Sequence, residues 1–432
     1  MNSIFKIRKI SADYKRLLSN FFSLSVLQGL NYLFPLITMP YLTRVLGMDK
    51  YGLVSYAAVI ISYFQMVTDY GFNLSATKDI SVNRNDDKKV SEIFSSVMTI
   101  KIGLLVVCFA LMSLIVEIFG KLRVYDTVYF LTFLGVIGNV LFPVWFYQGI
   151  EKMKYITYFN FVSRLAATGL VFIIIKTESD FMRLVLLNSV ISVIMGVVSL
   201  CVVLKVYKVK YVRPGLNALK ENIKEGWYIF ISSFSINIYI SSNVLILGIF
   251  GNNTVVGYYT VAEKLITAVR SLVGIVFQTT YPYICRLADE SLEKLKRFYR
   301  KVFVPLYACL FLGCLLVFVL SDIIVYIIAG NQVQSAIVMK ILSFVPLIVA
   351  LNIPAYQTLV AYGQKKSYTS VLLSGSVLNI LLNLVLAHKF LYYGTAVSVL
   401  ITEVYITVGL YLIVEIRHKN YSIFRKSGDI NG

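Results

Sequence analysis

Apolar stretches of twenty or so residues recur along this chain from Asn20 to Val414, with little between them. A helix needs roughly 20 mostly apolar residues to cross a bilayer, and only a helix satisfies its own backbone there. The pattern predicts twelve crossings. The first six are Asn20 to Thr43, Gly52 to Tyr70, Phe94 to Ile118, Val128 to Tyr147, Tyr155 to Ile175, and Phe181 to Leu204. The second six are Trp227 to Phe250, Val255 to Val276, Phe303 to Leu320, Ile341 to Val360, Tyr368 to Ala387, and Tyr393 to Val414. The stretch from Asp322 to Gly330 reads either as a helix end or as a short re-entrant piece. Twelve spans in 432 residues leave no room for a sizeable soluble domain. The fold class is therefore an all-α polytopic membrane protein.

Charge settles the orientation. The net charge of +19, from 41 Lys+Arg, would suggest nucleic acid in a soluble protein. Here the basic residues alternate from loop to loop, so no nucleic-acid partner is expected. The even side carries Lys6 to Arg16, Lys78 to Lys89, Lys152 and Lys154, Lys205 to Lys224, Arg286 to Lys301, Lys365 and Lys366, and the tail from Arg417. The other side holds only Arg44, Lys50, Lys121, Arg123, Lys176, Arg183 and Lys389. The positive-inside rule then places both termini and the basic loops in the cytoplasm. The first apolar segment is too long for a cleavable signal. Cys108, Cys201, Cys285, Cys309 and Cys314 show no metal spacing and read as small packing residues. His388 and His418 have no catalytic companion. No metal or cofactor is expected.

The chain divides into an N-terminal six-helix lobe at 1–204, a basic cytoplasmic linker at 205–226, and a C-terminal six-helix lobe with its tail at 227–432. The halves repeat faintly. Phe250-Gly251-Asn252 leads to Gly257 as Leu46-Gly47-Met48 leads to Gly52. Both halves start on the same side, so the repeat axis runs along the membrane normal, as in transporters that alternate access around a shared site. Polar stripes strengthen the repeat. Gln28, Asn31, Pro35 and Thr38 in span 1 share their spacing with Ser232, Ser235, Tyr239 and Ser242 in span 7. Ser55, Ser62, Gln65, Asp69 and Asn73 share a face in span 2, and Thr260, Thr267, Arg270 and Gln278 answer them in span 8. Such stripes either line a wet cleft or glue helices together. The cleft reading takes Gln28, Asn31, Ser62, Gln65, Ser235 and Thr267 as its lining.

Charges inside the spans narrow the substrate. An ionisable group at a helix centre costs roughly 2.5–3.5 kcal/mol on insertion scales and usually faces a cavity or a partner. Arg164 lies nine residues into span 5, about 13 Å deep. Arg270 shares its face with Glu263, and Lys101 lies nearer the cytoplasmic surface, where it either faces the cleft or snorkels. Buried carboxylates are fewer: Asp69, Glu263 and Glu403. The cationic excess suits an anion such as a diphosphate, with Lys101, Arg164 and Arg270 as binding residues. Glu263, with Asp69 on the equivalent face of span 2, either exchanges a coupling ion (H+ or Na+) or merely compensates Arg270.

Several motifs resemble one family. Pro40-Tyr41-Leu42-Thr43-Arg44-Val45-Leu46-Gly47 with Tyr51-Gly52 is similar to the first-hairpin motif of bacterial polysaccharide (O-antigen) repeat-unit flippases of the Wzx type. Asp69 to Thr77, Phe142 to Met153, Gly394-Thr395-Ala396 and Thr402-Glu403 resemble other motifs of that family. The resemblance spans the chain. It implies the two-lobed, V-shaped fold of the multidrug/oligosaccharidyl-lipid/polysaccharide exporter superfamily, with a central cleft between six-helix lobes. It also implies a flippase, not an enzyme, moving undecaprenyl-diphosphate-linked oligosaccharide to the periplasmic leaflet for O-antigen or related polysaccharide. Implied partners are that glycolipid, membrane lipids, and a polysaccharide polymerase with its chain-length regulator. The alternative within the superfamily is a drug/cation antiporter or another lipid-linked-substrate exporter. An antiporter would favour acidic cleft residues, which spans 1 and 7 lack. A polymerase or glycosyltransferase would need a large outer loop with catalytic groups, and the outer loops are short.

Overall fold

A computed structural model describes the backbone of residues 2–417. Side chains at 2–28, 30–31, 232–233, 235–240, 275–279, 282 and 365 fall outside the description, among them the predicted cleft residues Gln28, Asn31 and Ser235. Every regular element among the described residues is helical.

Spans 1 and 2 form α1 (Asn2–Asp69), which turns back on itself at Gly47, where φ is 69°. A left-handed backbone of this kind costs glycine little. After α2 (Ser75–Asn83), span 3 is α3 (Asp87–Ile118), capped by the Asp86 carboxylate on the amides of Lys88 and Lys89. A short α4 (Gly120–Arg123) precedes span 4. Span 4 is split into α5 (Asp126–Leu141) and α6 (Val144–Gly149) at Pro143, which has no amide proton to continue the ladder. Spans 5 and 6 are α7 (Lys154–Ile174) and α8 (Phe181–Lys205). Spans 7, 8 and 9 are α9 (Leu216–Phe250), α10 (Asn253–Glu290) and α11 (Leu292–Ala329). Span 10 comprises α12 (Val333–Leu342) and α13 (Val345–Ala361). Spans 11 and 12 form α14 (Lys365–Arg417), which reverses at Leu391 with φ of 50°.

Eight helical stretches among the described residues are long and apolar enough to cross a membrane. Two of them, 32–69 and 366–417, contain the reversals at Gly47 and Leu391 and so supply two crossings each. With α9 and α10 in the places of spans 7 and 8, the all-helical, multi-pass expectation holds. Two details differ. The Asp322 to Gly330 stretch is a continuation of α11, not a re-entrant piece, and span 10 begins at Val333, not Ile341. Lys340 Nζ, on α12, meets the largely exposed Asp322 Oδ2 of α11 at 2.6 Å.

The chain forms two compact units, 1–50 with 54–234, and 51–53 with 235–432. In the first, Phe94, Trp145, Phe146, Tyr147 and Phe159 pack a buried aromatic core. Tyr147 Oη donates to the Ser199 carbonyl at 2.9 Å. Its α5–α8 crossing depends on small residues: a methyl group on Gly196 would lie 2.5 Å from the Gly138 carbonyl oxygen. In the second unit Tyr299, Phe303, Leu359, Ile406 and Leu410 are buried together. Tyr299 Oη donates to the Pro354 carbonyl at 3.2 Å and lies 3.0 Å from Thr358 Oγ1. An amide network ties α9 to both arms of α14. Asn383 Nδ2 donates to Asn243 Oδ1 at 3.0 Å, and Thr395 Oγ1 donates to Asn383 Oδ1 at 2.9 Å.

The outer faces remain apolar. Leu312, Leu316, Val319 and Ile323 stand exposed on one stripe of α11, as do Val107, Leu111, Leu114 and Ile118 on α3. Apolar stripes on this scale are the surface that lipid solvates.

Candidate functional site

The charges predicted to lie inside the spans are held in three different ways. Lys101, on α3, is 1% exposed. Its ammonium donates to Asp69 Oδ1, at the end of α1, at 2.9 Å. The carboxylate is the open member of this pair, with 28% of its side chain exposed. Burying an ammonium is costly, and a partner at this distance offsets much of that cost.

Arg270, on α10, donates from Nη2 to Glu403 Oε1 at 2.9 Å. Glu403 sits on the second arm of α14 and is the buried member, with 3% of its side chain exposed against 38% for Arg270. The hydrogen-bonded ion partner of Arg270 is thus Glu403, which the sequence did not offer, and not Glu263. Two turns along one helix leave the side chains stacked along the axis, whereas Glu403 approaches from a neighbouring helix. Among the described residues no ion pair holds Glu263, which is half-buried on α10. The adjacent Lys264 turns elsewhere, with Nζ 3.0 Å from Tyr51 Oη.

Arg164, on α7, is the third case. It is half-buried, its Nε is buried, and that nitrogen finds no hydrogen-bond partner among the described residues. Around it, Asn160 donates to the Ile156 carbonyl within its own helix, and Phe161 contacts Phe34 of α1 with ring centroids 6.2 Å apart. Ser62, Gln65 and Thr267 are all half-buried on the helices expected of them.

A cavity of about 410 Å³ opens in the second unit between α10, α13 and α14. Arg270 and Glu403 line it together with Asn352, Tyr356 and Tyr368. The Asn352 Oδ1 is buried with no partner among the described residues. Sequence reasoning missed these last three. A signal was present, since Asn352 and Tyr356 stand one helical turn apart in a mostly apolar span. Among the described residues no group of His, Cys, Asp and Glu is arranged to hold a metal ion.

The likeness to known proteins runs the length of the chain. A family model described as "Polysaccharide biosynthesis protein" matches residues 17–288. A protein of Escherichia coli (strain K12) is 30% identical over 390 residues, covering 90% of this chain and 94% of the relative. A second, from Shigella dysenteriae, is 25% identical over 393 residues, covering 90% and 98%. Both carry the name "Putative O-antigen transporter". Among solved structures, the fold matches an inward-facing multidrug resistance MATE family transporter of the MOP superfamily. That match has a TM-score of 0.69 at 13% identity and covers 92% of this chain and 98% of that one. It also matches the lipid II flippase MurJ in an inward closed conformation, with a TM-score of 0.69 at 11% identity, covering 92% and 87%. At such identities the structural matches speak for the fold alone, but the sequence matches go further: this chain is a member of the polysaccharide biosynthesis protein family, as its motifs suggest.

Proposed function

We propose that this protein is a flippase for undecaprenyl-diphosphate-linked oligosaccharide repeat units, carrying them across the inner membrane by alternating access, with both termini cytoplasmic. The family and its O-antigen relatives support the substrate class. The observation that carries the reading is Arg164. It is a guanidinium within a membrane span whose buried Nε has no partner among the described residues, while Lys101 and Arg270 are each neutralised by a carboxylate. A planar cation held in this state suits a diphosphate, which offers acceptors to several of its N–H groups. Lys101 then positions Asp69 and the end of α1 instead of touching the lipid head.

The test is the initial rate of glycolipid translocation in reconstituted vesicles. Arg164→Ala should lower it about tenfold or more, the usual cost of a lost charge-assisted hydrogen bond, with Arg164→Lys between the two. A wild-type rate in Arg164→Ala would refute the assignment. Coupling falls to Glu263, which no described cation pairs, as an exchanger of H+ or Na+ between lobe arrangements. Glu263→Gln cannot titrate, so its transport should no longer respond to an imposed pH or sodium gradient. A gradient response that survives in this variant removes Glu263 from the mechanism.

A further inference from the structure

The cavity of the second unit has chemistry that a diphosphate does not explain. Its guanidinium is already matched by the Glu403 carboxylate at 2.9 Å. Its buried polar atom without a partner among the described residues is an acceptor, Asn352 Oδ1. An ionised phosphate brings only acceptors and would leave that oxygen unsatisfied, a costly state in a buried place. A cationic ligand would have to sit against Arg270. A polyhydroxylated ring fits where both fail. Its hydroxyls donate to Asn352 Oδ1 and to the Glu403 carboxylate, and its oxygens accept from Arg270.

The remaining wall agrees. Tyr356 and Tyr368 stand edge to face with ring centroids 4.3 Å apart, and aliphatic side chains fill the rest. The C–H face of a sugar packs on such rings through its apolar area. At about 410 Å³ the volume lies within the range of small-molecule sites, enough for a sugar unit and not for a long oligosaccharide.

We propose that this cavity is a sugar subsite, which takes one unit of the oligosaccharide head. The inference rests on the flippase reading and assigns a second contact to the same substrate. It makes Asn352, Tyr356 and the Arg270–Glu403 pair determinants of which repeat unit is carried, not of whether a lipid diphosphate is bound.

The experiment compares two probes on the purified full-length protein in lipid nanodiscs. One is undecaprenyl diphosphate alone. The other is the undecaprenyl-diphosphate-linked repeat unit extracted from the cells that make this protein. The wild type should bind the glycolipid about tenfold more tightly than the bare lipid. Asn352→Leu and Tyr356→Leu should each remove most of that difference and leave the bare-lipid affinity unchanged. Two variants with separate packing consequences guard against one that fails to fold. Variants that keep the full difference, or that lose both affinities equally, overturn the subsite. Equal wild-type affinity for the two probes overturns it too, while the flippase reading stands. A wild type that binds neither probe overturns both.

Discussion

Each unit of the molecule holds an ion pair between distant helices, but the two pairs are built in opposite senses. In the first, the cation is buried and the carboxylate open: Lys101 lies under Asp69. In the second, the carboxylate is buried and the cation open: Glu403 lies under Arg270. The buried member fixes the geometry, and the open member is what solvent or a ligand meets. The sign a membrane cavity shows is thus set by which partner is covered, not by counting charges in the spans. On that basis the described spans of the first unit show a carboxylate at α1 and a cation at Arg164, whereas the second unit shows a guanidinium.

This comparison can be broken most directly in the first unit. Asp69→Ala leaves the Lys101 ammonium in place with its carboxylate gone. Removing one partner of a buried pair costs about 3–5 kcal/mol. Lys101→Met leaves a partly open carboxylate and fills the buried volume with an apolar chain, so its cost should be far smaller. The double variant should recover most of the loss. Thermal unfolding of the purified protein in detergent reads all three. If Asp69→Ala and Lys101→Met are equally destabilising, the burial asymmetry does not govern the pair.

A smaller effect sharpens the same contrast between units through two neutral groups. Tyr147 and Tyr299 are fully buried, and each gives its hydroxyl to a carbonyl of its own unit, Ser199 or Pro354. Tyr147→Phe and Tyr299→Phe should each cost about 1 kcal/mol, the net worth of such a bond. Because they lie in separate cores, the two costs should add to within a few tenths of a kcal/mol. A double variant no less stable than either single one would show that the cores are coupled.

The spans were legible because a bilayer imposes a length on every crossing. The reversal at Gly47 was marked by the glycine itself, inside a motif that recurs at Gly251. The reversal at Leu391 falls between the predicted spans 11 and 12, beside His388 and Lys389, but no glycine marks the residue that turns, a leucine with φ of 50°. The ion pairs were harder still. Asp69 and Lys101 are 32 residues apart, Arg270 and Glu403 133 apart. Helical periodicity ranks neighbours on one helix, so it offered Glu263 to Arg270 and had no means of offering Glu403. The same blindness hid the cavity, whose walls come from three helices.

The one-residue reversals at Gly47 and Leu391 also bear on how the chain enters the membrane. Two helices joined so tightly cannot be threaded one at a time, because there is no slack to hold the first across the bilayer while the second waits outside. Each pair is therefore one insertion event, and its cost is averaged over both arms. That averaging carries the polar face of Ser62, Gln65 and Asp69 into the lipid alongside a more apolar partner arm. The tight turn thereby lets a polar helix face be installed in a dry solvent.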